Sequence, residues 1–89
     1  MKEGNIEINN ERGLHARAAS KFVHLASEFT STVKLRKDGV TVDGKSILGI
    51  LLLQASKGCR IHLTVDGEDE EEAFDRLSKM ISGRFGEKK

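Results

Sequence analysis

The sequence contains no tryptophan or tyrosine, only four phenylalanines, and a single cysteine among its 89 residues. Without exposed aromatic rings at regular intervals, the chain offers no surface on which nucleic-acid bases could stack. The formal net charge is only +1, and the basic residues are scattered rather than clustered, so no electrostatic footprint for a phosphate backbone is visible. These absences argue against a nucleic-acid partner.

Long apolar segments are also missing. Residues 1–4 are charged and polar, and no run approaches the roughly 20 apolar residues that cross a bilayer. We therefore expect a cytoplasmic protein without a membrane partner. The lone Cys59 permits no intrachain disulfide, and it alternates in phase with Ile61, Leu63 and Val65, which predicts a small core residue rather than a reactive thiol.

Periodicity predicts an α+β protein in one domain, residues 1–89. Alternation predicts strands at 5–8, 32–37, 40–42 and 59–65, with Asp38-Gly39 as a hairpin turn, and helical spacing predicts helices over about 15–28, 47–53 and 69–82. The order is βαββαβα, and the strands have one apolar face. A four-stranded antiparallel sheet with three helices on one face follows. The acidic run at 68–72 is expected to be a solvated first turn of the last helix, and residues 84–89 a frayed tail.

The segment Gly13-Leu14-His15-Ala16-Arg17-Ala18-Ala19-Ser20 places an imidazole and a guanidinium two residues apart at the start of the first predicted helix. His15 should lie at or beside the N-cap, where unpaired backbone N–H groups and the helix dipole favour a phosphate. Arg17 adds a charged donor fork. The same positive field disfavours the imidazolium, so His15 is expected to be neutral and nucleophilic. The pattern indicates a histidine that accepts a phosphoryl group.

Gly13-Leu14-His15-Ala16-Arg17, followed by Ala19-Ser20, together with Gly44-Lys45-Ser46-Ile47-Leu48-Gly49, resembles the HPr family. These are the histidine-containing phosphocarriers of the phosphoenolpyruvate-dependent phosphotransferase system, and the likeness covers essentially the whole chain. It implies an open-faced β-sandwich with adjacent first and last strands. It also implies a monomeric carrier, with no cofactor and no turnover of its own, that accepts phosphate on Nδ1 of His15 from enzyme I and donates it to enzyme IIA in sugar uptake and its regulation.

The resemblance also implies roles for other residues of the first motif. Arg17 and the backbone amides of Ala16, Arg17 and Ala18 would hold the phosphoryl dianion. One departure is that the family usually has proline at the position of Ala18. Alanine restores a backbone N–H and frees Arg17 from the restriction that a following proline imposes.

In the second motif, Ser46 is expected to be the N-cap of the short apolar helix. By resemblance it is also a candidate for regulatory phosphorylation by an HPr kinase/phosphorylase. The neighbouring apolar residues exceed what one face of a short helix can bury, and by resemblance Ile47, Leu48 and Leu51 would dock partners.

Four other interpretations can be weighed at the level of sequence. Residues 39–46 match the nucleotide-binding pattern G-x-x-x-x-G-K-[ST], but the four intervening residues alternate like a strand, which disfavours a P-loop. No metal is expected, because His24 and His62 fall on surface positions and lack paired ligand spacing. The remaining alternatives are a nitrogen-related or purely regulatory HPr paralogue that signals by its phosphorylation state, and a binding module that is not phosphorylated, which only a reactive His15 would exclude.

Overall fold

The computed structural model describes the chain from Met1 to Lys89 and contains the elements in the predicted order. The strands are β1, β2, β3 and β4, the helices are α1, α2 and α3, and a short 3₁₀ turn follows α3. Their bounds are β1 Lys2–Glu7, α1 Ala16–Ala26, β2 Thr32–Lys37, β3 Val40–Asp43, α2 Ile47–Leu52, β4 Arg60–Asp66, α3 Glu70–Ser82 and the 3₁₀ turn Arg84–Gly86. None of the helices is long and apolar enough to cross a membrane.

The strands form one antiparallel sheet in the order β1-β4-β2-β3. The first and last strands are therefore adjacent, as expected. β1 begins earlier than its apolar alternation predicted, because Lys2 already pairs with Val65. Backbone hydrogen bonds to β4 extend the strand through residues whose side chains carry no strand signal. Asp38 and Gly39 both have positive φ, at 51° and 80°, as a tight hairpin turn between β2 and β3 requires.

The hydrophobic core lies between one face of this sheet and the helices. Along β4, Ile61, Leu63 and Val65 are buried, while the residues between them face the other side. Phe22 of α1 and Leu77 of α3 are fully buried against the apolar face. The open face of the sheet is polar. The predicted α+β architecture, with three helices on one face, is confirmed.

Asp69 joins the start of α3 to the loop before β2. Its carboxylate accepts hydrogen bonds from Thr30 N at 2.9 Å and Ser31 N at 3.0 Å, and also from the hydroxyl of Ser31. These bonds stabilise the charged form, so the pKa of Asp69 falls from 3.8 to about 2, with the Ser31 hydroxyl as the main cause. The acidic start of α3 is thus more than a solvated turn, because one of its carboxylates holds two segments together.

We expect Asp69→Asn to lower the melting temperature at pH 7, because the amide cannot accept these bonds as a charged group. A lowered pKa means that the stabilisation is fully present above pH 4 and is lost as the pH falls through about 2. The melting-temperature gap between wild type and variant should therefore shrink over that interval. Glu71→Gln, which removes an exposed charge from the same turn, is the control and should change little. Equal losses in the two variants, or a gap that does not depend on pH, would contradict this role of Asp69.

The segment after α3 is not a frayed tail, so that expectation was wrong. Phe85 is buried, and Lys21 of α1 donates a hydrogen bond from Nζ to the Phe85 carbonyl at 2.9 Å. Burial of this one apolar side chain fastens the last residues to the core. The chain turns back toward the start of α1 as a result.

Candidate functional site

A tight loop places His15 at the start of α1. Gly13 has a φ of 66°, and its N–H donates to the Asn10 carbonyl at 3.2 Å. The next residue, Leu14, is buried and donates its N–H to the Ala55 carbonyl at 2.9 Å. Directly after this anchored Leu14, His15 has an extended backbone (φ −76°, ψ 176°). It is the N-cap of α1, which is its predicted position.

The first backbone amides of α1 are unpaired. Ala19 N is the first that bonds back into the helix, to the His15 carbonyl at 2.8 Å, and the N–H groups of Ala16, Arg17 and Ala18 have no acceptor in the chain. The His15 side chain does not cap them. These three donors, together with the positive end of the dipole of an 11-residue helix, form a place where an anion would be stabilised.

Arg17 is exposed and makes no hydrogen bond or ion pair within the protein. Its guanidinium borders an open cleft, so its donors remain available to an incoming anion. The residues lining the cleft are Glu11, Arg12, Arg17, Glu87, Lys88 and Lys89.

The backbone of Arg17 is already helical, and Ala18 beside it is fully buried. A proline at position 18 would lose no hydrogen bond, but it would disfavour the conformation that Arg17 has here. A gain in stability from Ala18→Pro would require an extended backbone at Arg17, and the helical Arg17 of this structure does not meet that condition.

Glu87 was absent from the residues expected at the site. Its Oε2 contacts Nε2 of His15, and its Oε1 accepts a hydrogen bond from Asn10 Nδ2 at 3.0 Å. The bond from Asn10 and then the contact with His15 hold the pKa of Glu87 below its usual range, so it is a carboxylate at neutral pH. No local pattern indicates this pairing across 72 positions of sequence. The only hint was the single aromatic Phe85 in a polar tail.

Ser46 is the N-cap of α2, and its Oγ accepts a hydrogen bond from Gly49 N at 3.0 Å, as predicted. The residues before it form strand β3, so the P-loop interpretation is not supported by the structure. α2 packs beside α1. The second motif therefore lies next to the helix that begins at His15.

The apolar residues of α2 divide into buried and exposed sets. Ile47 is 41% exposed and Leu48 is 70% exposed, whereas Leu51 is half-buried against the core. Leu52, which was not among the predicted docking residues, is 66% exposed. Because a six-residue helix makes fewer than two turns, its apolar residues extend around most of its circumference.

His15 makes no hydrogen bond with either of the other histidines or with the cysteine. His24 is exposed on α1, and His62 lies on the polar face of the sheet, bonded to Asn5 Oδ1 at 2.9 Å and to Glu3 Oε1 at 2.8 Å. Cys59 is half-buried against the core just before β4, as a small packing residue would be. No three His, Cys, Asp or Glu side chains are grouped so that they could hold a metal ion.

Comparison with known proteins shows the family to which this chain belongs. The protein-family model described as the PTS HPr component phosphorylation site matches residues 2–83. Phosphocarrier protein HPr of Neisseria meningitidis serogroup A is 49% identical over 87 residues, covering 98% of each chain. The crystal structure of HPr-C-His from Thermoanaerobacter tengcongensis covers 100% of both chains at 47% identity with a TM-score of 0.96. An HPr dimer from the same organism covers 98% of this chain and 100% of its own, at 48% identity and a TM-score of 0.78. The chain belongs to the HPr family of phosphocarrier proteins of the phosphotransferase system.

Proposed function

We propose that this phosphocarrier receives its phosphoryl group on Nδ1 of His15 from phosphorylated enzyme I and passes it to an enzyme IIA domain in the cytoplasm. The observation that carries the proposal is the position of His15 as the N-cap of α1, beside three unpaired amides. Nδ1 of His15 has no hydrogen-bond partner, whereas Nε2 is occupied by Glu87. The free nitrogen is therefore the one available for attack on phosphorus.

The chemistry follows from these positions. As Nδ1 bonds to phosphorus, the three phosphoryl oxygens come within reach of the amides of Ala16, Arg17 and Ala18. The unpartnered guanidinium of Arg17 supplies a second set of donors. The chain returns to its starting state only when a partner removes the phosphoryl group, so the protein has no turnover of its own.

The direct test mixes the purified protein with enzyme I and phosphoenolpyruvate. Intact-mass spectrometry should show an acid-labile increase of one phosphoryl group, which disappears when an enzyme IIA domain is added. No increase at all would overturn the proposal. A stable increase that no IIA domain removes would instead favour the regulatory paralogue.

All of these groups come from one chain, so a monomer suffices for the proposed transfer. The similar HPr dimer from T. tengcongensis makes the oligomeric state worth measuring. Light scattering at the concentration of the transfer assay should give the mass of one chain. An obligate dimer that transfers phosphate at full rate would contradict this part of the proposal.

Partner docking is proposed for the exposed surface of α2. Ile47 and Leu48 expose apolar area beside α1 that no residue of this chain covers, and Leu51 adds a half-buried edge to it. Enzyme I, an enzyme IIA domain or an HPr kinase/phosphorylase acting on Ser46 would bury this surface. Such patches are typical of sites that bind other proteins.

Ser46→Asp should remain folded and accept phosphate at His15 more slowly. An aspartate keeps an acceptor for Gly49 N and places a negative charge at a helix start, which is worth about 0.3 to 1 kcal/mol. The same charge must lose water when a partner covers Ile47 and Leu48, and it repels an acidic partner surface. We expect the defect in the phosphorylation rate to shrink as salt is raised.

Ser46→Asn is the matched control, because it keeps a capping oxygen without adding a charge. It should melt near wild type and be phosphorylated at the wild-type rate. If Ser46→Asp is also phosphorylated at that rate in low and high salt, Ser46 is only a helix cap and its proposed regulatory role fails.

A further inference from the structure

The end of the chain reaches the site through a sharp reversal after α3. Arg84 and Phe85 have left-handed backbone, with φ of 60° and 55°, and burial of the Phe85 ring holds this turn against the core. Two further bonds join the last residues to the loop before α1. They run from Glu11 N to the Lys89 carbonyl at 2.8 Å and from Asn10 Nδ2 to Glu87 Oε1 at 3.0 Å. Glu87 is thus fixed by the buried Phe85 ring on one side in sequence and by the backbone bond of Lys89 on the other.

The carboxylate of Glu87 contacts Nε2 of His15 and not Nδ1. Its side chain is only 16% exposed, and the His15 side chain only 19%. Asn10, which fixes the other carboxylate oxygen, is fully buried and also donates to the Gly13 carbonyl at 2.8 Å. A carboxylate is an acceptor only, so the contact with His15 is a hydrogen bond only when Nε2 carries the proton.

We propose that Glu87 is a positioning residue for phosphoryl transfer: it accepts the Nε2–H of His15, fixes the ring, and leaves the lone pair on Nδ1. The inference rests on the proposed function, in which Nδ1 is the acceptor. Arg17 and the helix amides bind the phosphoryl oxygens, whereas Glu87 acts on the ring itself. A carboxylate that orients an imidazole by one nitrogen while the other reacts is a general arrangement in enzymes that use histidine.

The transfer step balances without any loss of a proton. The Nδ1 lone pair forms the bond to phosphorus, the bond from phosphorus to the donor atom breaks, and its electron pair returns to the donor. Nε2 keeps its proton, so the phosphorylated ring carries a positive charge that the Glu87 carboxylate offsets. A positively charged ring is also the better leaving group when the next partner removes the phosphoryl group.

The test compares Glu87→Gln with Glu71→Gln in the enzyme I assay. Glu71 carries the same charge but is exposed in the first turn of α3, outside the cleft that Arg17 lines. Glu87→Gln should lower kcat for phosphorylation about tenfold, the lower end of the loss that follows when hydrogen-bond partners of metal-binding histidines are changed. The KM for this protein should stay unchanged, because the docking surface on α2 is untouched. Glu71→Gln should keep both constants.

A second readout follows the ring proton. In ¹⁵N-labelled wild type, a proton bound to Nε2 of His15 should give a resolved downfield signal, since its hydrogen bond to a carboxylate slows exchange with water. The signal should vanish in Glu87→Ala, a variant that should also transfer at least as slowly as Glu87→Gln. Melting curves of both variants should still show one cooperative transition.

The outcomes separate this inference from the proposed function. A wild-type protein that takes no phosphate defeats the proposed function itself. A wild type that is phosphorylated, with Glu87→Gln and Glu87→Ala equally fast, defeats only the role of Glu87. Faster acceptance in either variant would show that Glu87 occludes the ring, and an increase in KM with constant kcat would show that it serves docking; each result overturns the positioning role.

Discussion

Replacing His15 with alanine is expected to abolish the acid-labile phosphorylation by enzyme I while leaving the fold intact. The modification should disappear because His15, the N-cap of α1, supplies the proposed acceptor nitrogen beside the unpaired amides. The fold should survive because His15 lies outside the hydrophobic core and its side chain caps no backbone group. The only side-chain partner it loses is Glu87. A hydrogen bond to a charged group contributes about 1.5 to 3 kcal/mol, which is a modest part of the stability of a folded domain.

The measurement is an intact-mass spectrum after incubation with enzyme I and phosphoenolpyruvate, with a thermal melt of the same sample. The melt should still show one cooperative transition, with the melting temperature lowered by about 4 to 8 °C for each kcal/mol lost in a domain of this size. His24→Ala, an exposed position on the same helix, is the control and should be phosphorylated normally. Persistent modification of His15→Ala would remove His15 from its proposed role.

Gly13→Ala should have the largest effect on stability among the changes near the site. A Cβ at this position would lie 2.5 Å from the Ala55 carbonyl oxygen and 2.8 Å from the Ser56 Cα. Both are backbone atoms, so a rotation of a side chain cannot relieve the clash. The φ of 66° adds the strain of left-handed backbone. Together these terms should destabilise the protein by about 2 to 4 kcal/mol.

Gly39→Ala provides the matched control, because Gly39 also has a positive φ, at 80°, but a Cβ there would meet nothing within 4 Å. It should cost about 1 kcal/mol from strain alone. Urea unfolding measures both variants. In conditions where Gly13→Ala is still folded, His15 should also be phosphorylated more slowly, because Gly13 shapes the loop that presents it. Equal losses in the two variants would show that the loop accommodates the methyl group.

The sequence predicted those parts of the fold that rest on local pattern. Strand β4 alternates apolar and polar residues cleanly, and Ser46 precedes an apolar run, so both were assigned their observed roles. β1 was predicted too short because Lys2 and Gly4 carry no strand signal, and their pairing depends on the neighbouring β4. Propensity is a weak guide wherever a neighbouring strand decides.

The candidate site likewise has a part that local sequence pattern predicts and a part that depends on distant residues. His15 and Arg17 belong to one short segment, and their relation to the start of a helix could be predicted from spacing. Glu87 reaches His15 only after α3 has crossed the sheet and the chain has reversed at Phe85. A contact of that kind depends on the whole topology. The division of α2 into exposed Leu52 and half-buried Leu51 likewise depends on how a short helix is rotated against the core.

The reversal at Phe85 also has a practical consequence for how the protein should be handled. Lys89 is hydrogen-bonded to the loop before His15, and it lines the same cleft as Arg17. A bulky group attached to the side chain of Lys89 would lie at that cleft and compete with an approaching protein. The same closeness makes position 89 a useful reporter, because an environment-sensitive dye there should respond when a partner covers the cleft.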